Sequence, residues 1–349
     1  NFAICRINES MNNRFRIFFL LVLAFSQSIA FAQLSASDLE FLQTKEDSLK
    51  EYSRAMVFSE DAGTRFRSDS FFVRTLVRAL KVKNSFYYPF DSLNVSRLYS
   101  PDSTFRIFTW QLKKDEYVYL QKGAIQMNTP DGSLKLFPLF DNSMFTKNPL
   151  DSVRSHQNWI GAIYYRIVQK EHNGKQYYTL LGFDDFSINS NKKWMEVLHF
   201  NERGEPVFGG RFFSFKNDTI KRPDQLRFHI EYKKEAKTFF NYDPEKDYIV
   251  FDHLVSESDE PEDKSTYIPT GEFEAFEWKD GQWVHIPKLD FNFRLKDGEF
   301  PVEATIYDDA GNVNEAALEE ASRKTMEREK ATREQRPPKS NPPKKKKDR

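Results

Sequence analysis

The chain has 349 residues, and its 52 basic and 52 acidic side chains give a formal net charge of zero at pH 7. A mean hydropathy of −0.69, combined with 34 phenylalanines, is typical of a water-soluble protein with bulky buried side chains. These values exclude a chain built mainly of apolar membrane-spanning segments.

The N-terminal region has the order of features found in a secretory signal. From Met11, two arginines precede an unbroken apolar run from Ile17 to Phe25, and small residues end at Ala30-Phe31-Ala32. The apolar run is about half of the roughly 20 residues that cross a bilayer. We therefore predict a signal peptide over residues 11–32, cleavage before Gln33, and a protein that is not integral to the membrane after cleavage. Residues 1–10 are interpreted as a non-native upstream extension.

Cysteine usage agrees with an ordinary hydrophobic core. Cys5 is the single cysteine of the sequence and lies in the upstream extension. The mature protein is therefore predicted to have no disulfide, no catalytic thiol and no lipid anchor on a cysteine.

Residues 33–83 are predicted to form a helical hairpin. Ser37-Asp38-Leu39-Glu40 has the spacing of a capping box, and apolar residues follow at helical intervals until about Phe58. A break at 61–63 is followed by a second apolar stripe containing Phe72, Leu76 and Leu80. Such a stripe needs a sheet or another partner to cover it.

Residues 84–307 are predicted to form an antiparallel β domain. The side chains alternate between apolar and polar, most clearly over Gln225–Tyr232, where Arg227, His229 and Glu231 are expected on a solvent-facing side. Asn-Gly and Asp-Gly turns favour hairpins between consecutive strands. The other candidate strands are Phe105–Leu112, Tyr117–Met127, Ser133–Phe140, Ala162–Lys170, Gln176–Phe183, Lys193–Phe200, Val207–Phe215, Lys237–Tyr242, Tyr248–Val255, Glu272–Trp278 and Gln282–Ile286. The fold class is thus mainly β, a meander forming a barrel or a sandwich.

Residues 308–349 are predicted to form a charged, solvated helix and a disordered tail rich in lysine and proline. The last fourteen residues have a net charge of +6, which leaves about −8 on the body between residues 33 and 335. Anionic envelope surfaces are the expected partner of this tail, with simple solubilisation as the alternative. Nucleic acid is not expected, because an exported protein rarely meets it.

No residue pattern specifies a reaction, and no cofactor is predicted. No two of the six histidines have the i,i+2 or i,i+4 spacing of a metal pair, so we expect solvated histidines and no metal site. Calcium at Asp184-Asp185 or at the acidic loop 257–263 is the less favoured alternative. Asp252 and His253 are adjacent, but consecutive strand residues point to opposite faces, so they should not form a dyad alone.

Four residues are the candidate ligand-binding side chains. Trp278 and Trp283 flank an Asp-Gly turn and either stack on a ligand or, as we favour, pack across the hairpin. Asp252 and His253 complete the set.

Two segments resemble a pattern found in uncharacterised exported proteins of the Bacteroidetes group. They are Tyr242–Leu254 (YDPEKDYIVFDHL) and Gly271–Val284 (GEFEAFEWKDGQWV), and the signal ending in Ala-Gln agrees with the same origin. The resemblance implies export and adds no activity.

Taken together, these features predict an exported protein of the periplasm or the outer envelope that acts by binding or scaffolding, without catalysis. The alternative is a hydrolase of envelope or external glycans, because such an enzyme needs only two carboxylates brought together by the fold.

Overall fold

The computed structural model describes residues 34–115, 118–219, 221–258 and 260–289. The chain divides into two compact units after Lys288, so all of these residues except Leu289 belong to the first unit. The predicted upstream extension, signal peptide, charged helix and tail lie outside the described residues.

The N-terminal hairpin consists of helix α1 (Ala36–Phe58) and helix α2 (Ala62–Leu80). The predicted start of α1 was wrong by two residues, because the cap is Ser35, whose Oγ accepts a hydrogen bond from the Asp38 amide at 3.1 Å. Asp61 caps α2 by accepting from the amides of Gly63 and Thr64. Within the described part of the chain, neither helix combines the length and apolarity needed to cross a membrane.

The first sheet has four antiparallel strands in the order β1-β2-β3-β4. They are β1 (Ser96–Tyr99), β2 (Phe105–Lys113), β3 (Tyr119–Met127) and β4 (Lys135–Phe140). Successive side chains of β2 point to opposite faces of the sheet. One face carries Phe108, Trp110 and Leu112, which pack in a core with the helices, and the other face carries Phe105 and Ile107. The helical hairpin therefore covers one face of this sheet, as its apolar stripes required.

The central sheet has six strands in the order β5-β9-β8-β7-β6, with β11 also paired to β8. They are β5 (Arg154–Ser155), β6 (Ile163–His172), β7 (Lys175–Asp184), β8 (Ser190–Phe200), β9 (Pro206–Phe208) and β11 (Phe228–Lys233). One face of this sheet packs on the first sheet through Leu180, Trp194 and Leu198. The other face, with Leu181 and Met195, packs on the third sheet.

The third sheet has the order β10-β15-β14-β13-β12. Its strands are β10 (Phe213–Ser214), β12 (Phe240–Asp243), β13 (Tyr248–Ser256), β14 (Tyr267–Lys279) and β15 (Gln282–Ile286). All pairs are antiparallel except β10 with β15. Helices, first sheet, central sheet and third sheet thus form four layers, which confirms the mainly β fold class and identifies it as a sandwich.

Most predicted strands are present, and the differences have local causes. The candidate Val207–Phe215 is split into β9 and β10 at Gly209 and Gly210, both of which have positive φ. The very short strands β1 and β5 were not predicted, because four or two residues cannot show a period.

The predicted solvent-facing side of β11 was wrong. Arg227, just before the strand, is fully buried, and both His229 and Glu231 are half-buried. These side chains are buried because a loop and a 3₁₀ turn lie over this side of the strand. Arg227 donates to the carbonyl oxygens of Pro149 and Ser152 in the loop, and the 3₁₀ turn Lys264–Thr266 packs on β11.

A buried ion pair satisfies the charge of Arg227. Its Nε lies 3.2 Å from Glu196 Oε2, and both side chains are almost fully buried. The other carboxylate oxygen accepts from the Tyr164 hydroxyl, which in turn accepts from Trp159 Nε1 at 2.7 Å. Removing one member of such a pair leaves the other charge without compensation in the protein interior.

We expect Glu196→Gln to lower the free energy of unfolding by about 3–5 kcal/mol. Urea denaturation of the purified variant measures this loss. The matched control is Glu277→Gln, whose partly exposed pair with Lys279 should contribute less than about 1 kcal/mol. A loss of similar size in both variants would contradict the structural role of the Glu196–Arg227 pair.

Candidate functional site

A group of buried polar side chains lies between the first and the central sheet. Asp184 ends β7, directly opposite Lys192 of β8, and Trp194 is opposite Gly182 on the same face. Gln121 of β3 reaches across the interface, and its Nε2 donates to Asp184 Oδ1 at 3.0 Å. The indole Nε1 of Trp194 lies 3.5 Å from Asp184 Oδ2. We call this group, with Asp141 and His229, the Asp184 cluster.

The carboxyl group of Asp184 is a weaker acid than an ordinary aspartate. Burial raises its pKa to about 6, and nearby Asp141 adds to the rise, while Trp194, Gln121 and Lys192 act in the opposite direction. A carboxyl group shifted by burial together with a charged neighbour is typical of functional sites, although structural networks also produce such shifts.

Close packing at Gly161 brings Asp141 into the cluster. The Gly161 amide donates to Asp141 Oδ1 at 3.1 Å. A Cβ atom on Gly161 would lie 2.1 Å from Gln121 Cβ and 2.8 Å from Asp141 Cγ, so only glycine fits between these two side chains. Asp141 is half-buried and lies on the solvent side of the cluster, whereas Asp184 is buried.

The opposite side of the cluster carries Lys192 and His229. Lys192 pairs with Glu231 at 3.3 Å, and its Nζ lies 3.2 Å from the centre of the Phe186 ring. The His229 ring lies 4.6 Å from the Trp194 ring. Burial, together with Lys192 and Lys264, lowers the pKa of His229 to about 3, so this ring is neutral near pH 7. The prediction of a solvated His229 was therefore wrong.

Two loops that start at the aspartates of the cluster carry exposed apolar side chains. Met144 and Phe145 follow Asp141 and are 62% and 82% exposed, and Phe186 and Ile188 follow Asp184. Phe140, at the end of β4, is also exposed. We call these five residues the apolar rim. Exposed apolar side chains beside buried polar groups are typical of binding surfaces.

The four predicted ligand-binding residues lie elsewhere, in the third sheet. Trp278 and Trp283 are directly opposite each other in the β14–β15 hairpin, with ring centres 5.2 Å apart. Trp283 is fully buried and donates to Thr179 Oγ1 at 2.8 Å, while Trp278 is half-buried. Both side chains are thus engaged in packing between the central and third sheets.

Asp252 and His253 point to opposite faces of β13 and have different partners. Asp252 accepts from the Phe239 amide, whereas His253 Nδ1 lies 2.6 Å from Glu274 Oε1. The structure therefore does not bring these two side chains together.

His253 is instead one end of a chain of alternating basic and acidic groups, the His285 network. The other oxygen of Glu274 lies 2.7 Å from His285 Nε2, and His285 Nδ1 lies 2.6 Å from Asp218 Oδ1. Arg222 pairs with Asp218 at 2.8 Å. Burial alone would raise the pKa of Glu274, but the hydrogen bonds from His285 and His253 outweigh it and hold the pKa below its usual value. His285 is fully buried, so the prediction of a solvated histidine was wrong here also.

The acidic and basic side chains of the Asp184 cluster and the His285 network form ion pairs and linear chains of hydrogen bonds. Across the described residues, no three or more His, Cys, Asp or Glu side chains cluster with the geometry of a metal site. Asp185 pairs with Lys234, and Asp263 accepts from Ser265 within its own turn.

Comparisons with protein-family models, with curated proteins and with solved structures find no match to this chain. Sequence reasoning considered Asp184 only as part of an acidic pair, because its partner Gln121 lies 63 residues away and no local pattern joins them.

The raised pKa of Asp184 predicts a specific pH dependence of stability. The unfolded carboxyl titrates near its ordinary value of 3.8 and the folded one near 6, so the folded protein binds more protons between these values. The resulting stabilisation is present at low pH and is lost as the pH rises through about 6. Asp184→Asn cannot ionise, so its stability relative to the native protein should rise by about 2–3 kcal/mol between about pH 4 and about pH 7.

Urea denaturation of both proteins at the two pH values measures this change. The control Asp224→Asn alters an exposed aspartate and should show no such rise. The difference in stability between Asp184→Asn and the native protein should therefore vary with pH. A difference that is constant with pH would mean that burial does not raise the pKa of Asp184.

Proposed function

We propose that this protein is exported to the periplasm or the outer envelope and acts there by binding, with the Asp184 cluster and the apolar rim as its binding surface. The signal-like order of residues 11–32 and the resemblance to exported proteins support the location. The observation that carries the binding function is the position of the apolar rim on the two loops that start at Asp141 and Asp184.

The chemistry of this surface suggests the kind of partner. Lys192 pairs with Glu231, Lys234 pairs with Asp185 and acts on Asp184, and Lys264 lies near His229, so the charged groups of this surface largely compensate one another. A partner with an apolar surface therefore fits the apolar rim. The basic tail supplies a second, weaker contact with anionic envelope surfaces, and this contact is sensitive to salt.

Cell fractionation tests both parts of the proposal. Mass spectrometry of the mature protein should give Gln33 as its first residue, and the protein should sediment with the envelope. The double variant Met144→Ser/Phe145→Ser should move into the soluble periplasmic fraction, because apolar contacts supply most of the affinity. The control Phe58→Ser changes an apolar residue that is 67% exposed at the end of α1 and should sediment like the native protein.

A wash at high salt separates the two contacts. It should release protein held by the basic tail alone and should leave rim-bound protein in the envelope. An intact residue 11–32 segment on a cytoplasmic protein would contradict export. Normal sedimentation of the rim variant would contradict the assigned surface.

Hydrolysis of glycans is the second candidate, and the proximity of Asp141 to Asp184 is the observation that favours it. A carboxyl group with a pKa of about 6 near a second carboxylate resembles the acid of a glycosidase and its partner. The proposed binding function instead predicts that the purified mature protein releases no reducing ends from peptidoglycan or from envelope polysaccharide. Release that is abolished in Asp184→Asn and kept in Asp224→Asn would transfer the assignment to a hydrolase.

A further inference from the structure

A cleft of about 460 Å³ lies at the edge of the central sheet, away from the Asp184 cluster. Its floor is formed by five consecutive residues of β6, from Ile167 to Glu171. Pro101 lies on one side and Tyr242 on the other. A cleft lined by one continuous strand exposes backbone groups as well as side chains.

β6 is the last strand of the central sheet, so among the described residues no strand continues the sheet beyond its outer edge. β1 lies beside the start of β6, where Ser96 Oγ donates to the Tyr164 carbonyl oxygen, and the cleft begins beyond that contact, at Ile167. The inner edge of β6 pairs with β7 in a hairpin closed by Asn173 and Gly174, both with positive φ, and His172 is opposite Lys175. The pair beside such a two-residue turn is hydrogen-bonded, and bonded positions then alternate along the strand. The N–H and C=O groups of Ile167, Gln169 and Glu171 therefore point outward into the cleft.

The two walls belong to different layers. Pro101 is in the β1–β2 turn of the first sheet, and Tyr242 is in β12 of the third sheet. The edge of β6 is thus recessed between the outer layers. A single extended segment can enter this recess and continue the central sheet. The same edge of a second copy is flanked by its own two walls, which would collide with the walls at Pro101 and Tyr242.

The charges around the cleft are mainly negative. Asp102, next to Pro101, accepts from the Tyr178 hydroxyl at 2.6 Å, and Glu171 accepts from Gln176 Nε2 at 2.8 Å. Asp247 pairs with Lys170, whose side chain is only 10% exposed because it lies against the rings of Tyr242 and Trp283. Asp243 and the exposed Arg166 also act on Tyr242, so four carboxylates outnumber the two basic groups Lys170 and Arg166, which favours a basic ligand.

We propose that the edge of β6 binds a basic, extended segment of a partner polypeptide as an added strand. The segment hydrogen-bonds to the outward groups of Ile167, Gln169 and Glu171, and its basic side chains contact Asp102 and Glu171. This binding mode uses main-chain hydrogen bonds for affinity and side chains for selectivity. It goes beyond the proposed function, because it uses a different surface and does not depend on the apolar rim.

The probe is a capped peptide of about nine residues, the length of a strand, in which lysine and valine alternate. Fluorescence anisotropy measures its binding to the full chain, and hydrogen exchange reports on individual amides. We expect binding that slows exchange at Ile167, Gln169 and Glu171. A peptide with glutamate in place of lysine, and a peptide with N-methylated amides on its bonding edge, should each bind at least about tenfold more weakly.

Two substitutions at one position test the backbone contact in the protein. Gln169→Pro removes an outward N–H, and proline is tolerated where the N–H does not face the neighbouring strand, so the pairing with β7 should survive. It should weaken peptide binding at least about tenfold, while Gln169→Thr, which keeps the N–H, should bind normally.

Equal binding of the lysine and glutamate peptides, or unchanged binding by a folded Gln169→Pro, would overturn the proposal. A third contrary result is protection of the three amides in the absence of peptide that disappears when the protein is diluted. That result would assign the edge of β6 to a second copy of the chain and would overturn the proposal. If circular dichroism shows that Gln169→Pro is unfolded, the N-methylated peptide decides in its place: binding equal to that of the unmodified peptide overturns the proposal.

Discussion

The cover on both faces of the central sheet is the constraint on which the rest of the structure depends. A sheet with one solvated face can place its polar residues there, but here the first sheet lies on one side and the third sheet on the other. Each buried polar side chain of β7, β8 and β11 therefore needs a partner inside the protein. The Glu196–Arg227 pair, the Asp184–Gln121 contact and the recessed edge of β6 all follow from this arrangement.

The same constraint explains how much of the fold the sequence predicts. The alternation of apolar and polar residues predicted the strand at Tyr248–Val255, and Asp-Gly predicted the β14–β15 hairpin. Alternation does not reveal how many layers a fold has. Arg227 alternates with apolar neighbours as a solvent-facing residue would, yet it is buried because a loop and a 3₁₀ turn cover that face. Charged residues within an alternating pattern thus predict a strand but do not show whether its polar face is solvated or buried.

The candidate site was less predictable than the fold, and sequence separation is the reason. Trp278 and Trp283 are five residues apart, so their contact follows from the hairpin between them. Asp184 and Gln121 are 63 residues apart, and Asp218 and His285 are 67 residues apart. No motif joins such residues, because the packing of layers determines their contacts. The unusual acidity of Asp184 likewise arises from burial, which composition cannot show.

The parallel pairing of β10 with β15 has a consequence for the order in which the chain can fold. β10 lies near residue 213, and its partner strand begins at Gln282, so the third sheet cannot be completed until almost all of the described chain has left the ribosome. Trp283 then joins a core whose earliest members, such as Val168, were synthesised long before it, and it donates to Thr179, 104 residues before it. Contacts between such distant residues slow folding. A nascent chain of this kind therefore stays open for longer than one whose sheets pair only neighbouring strands.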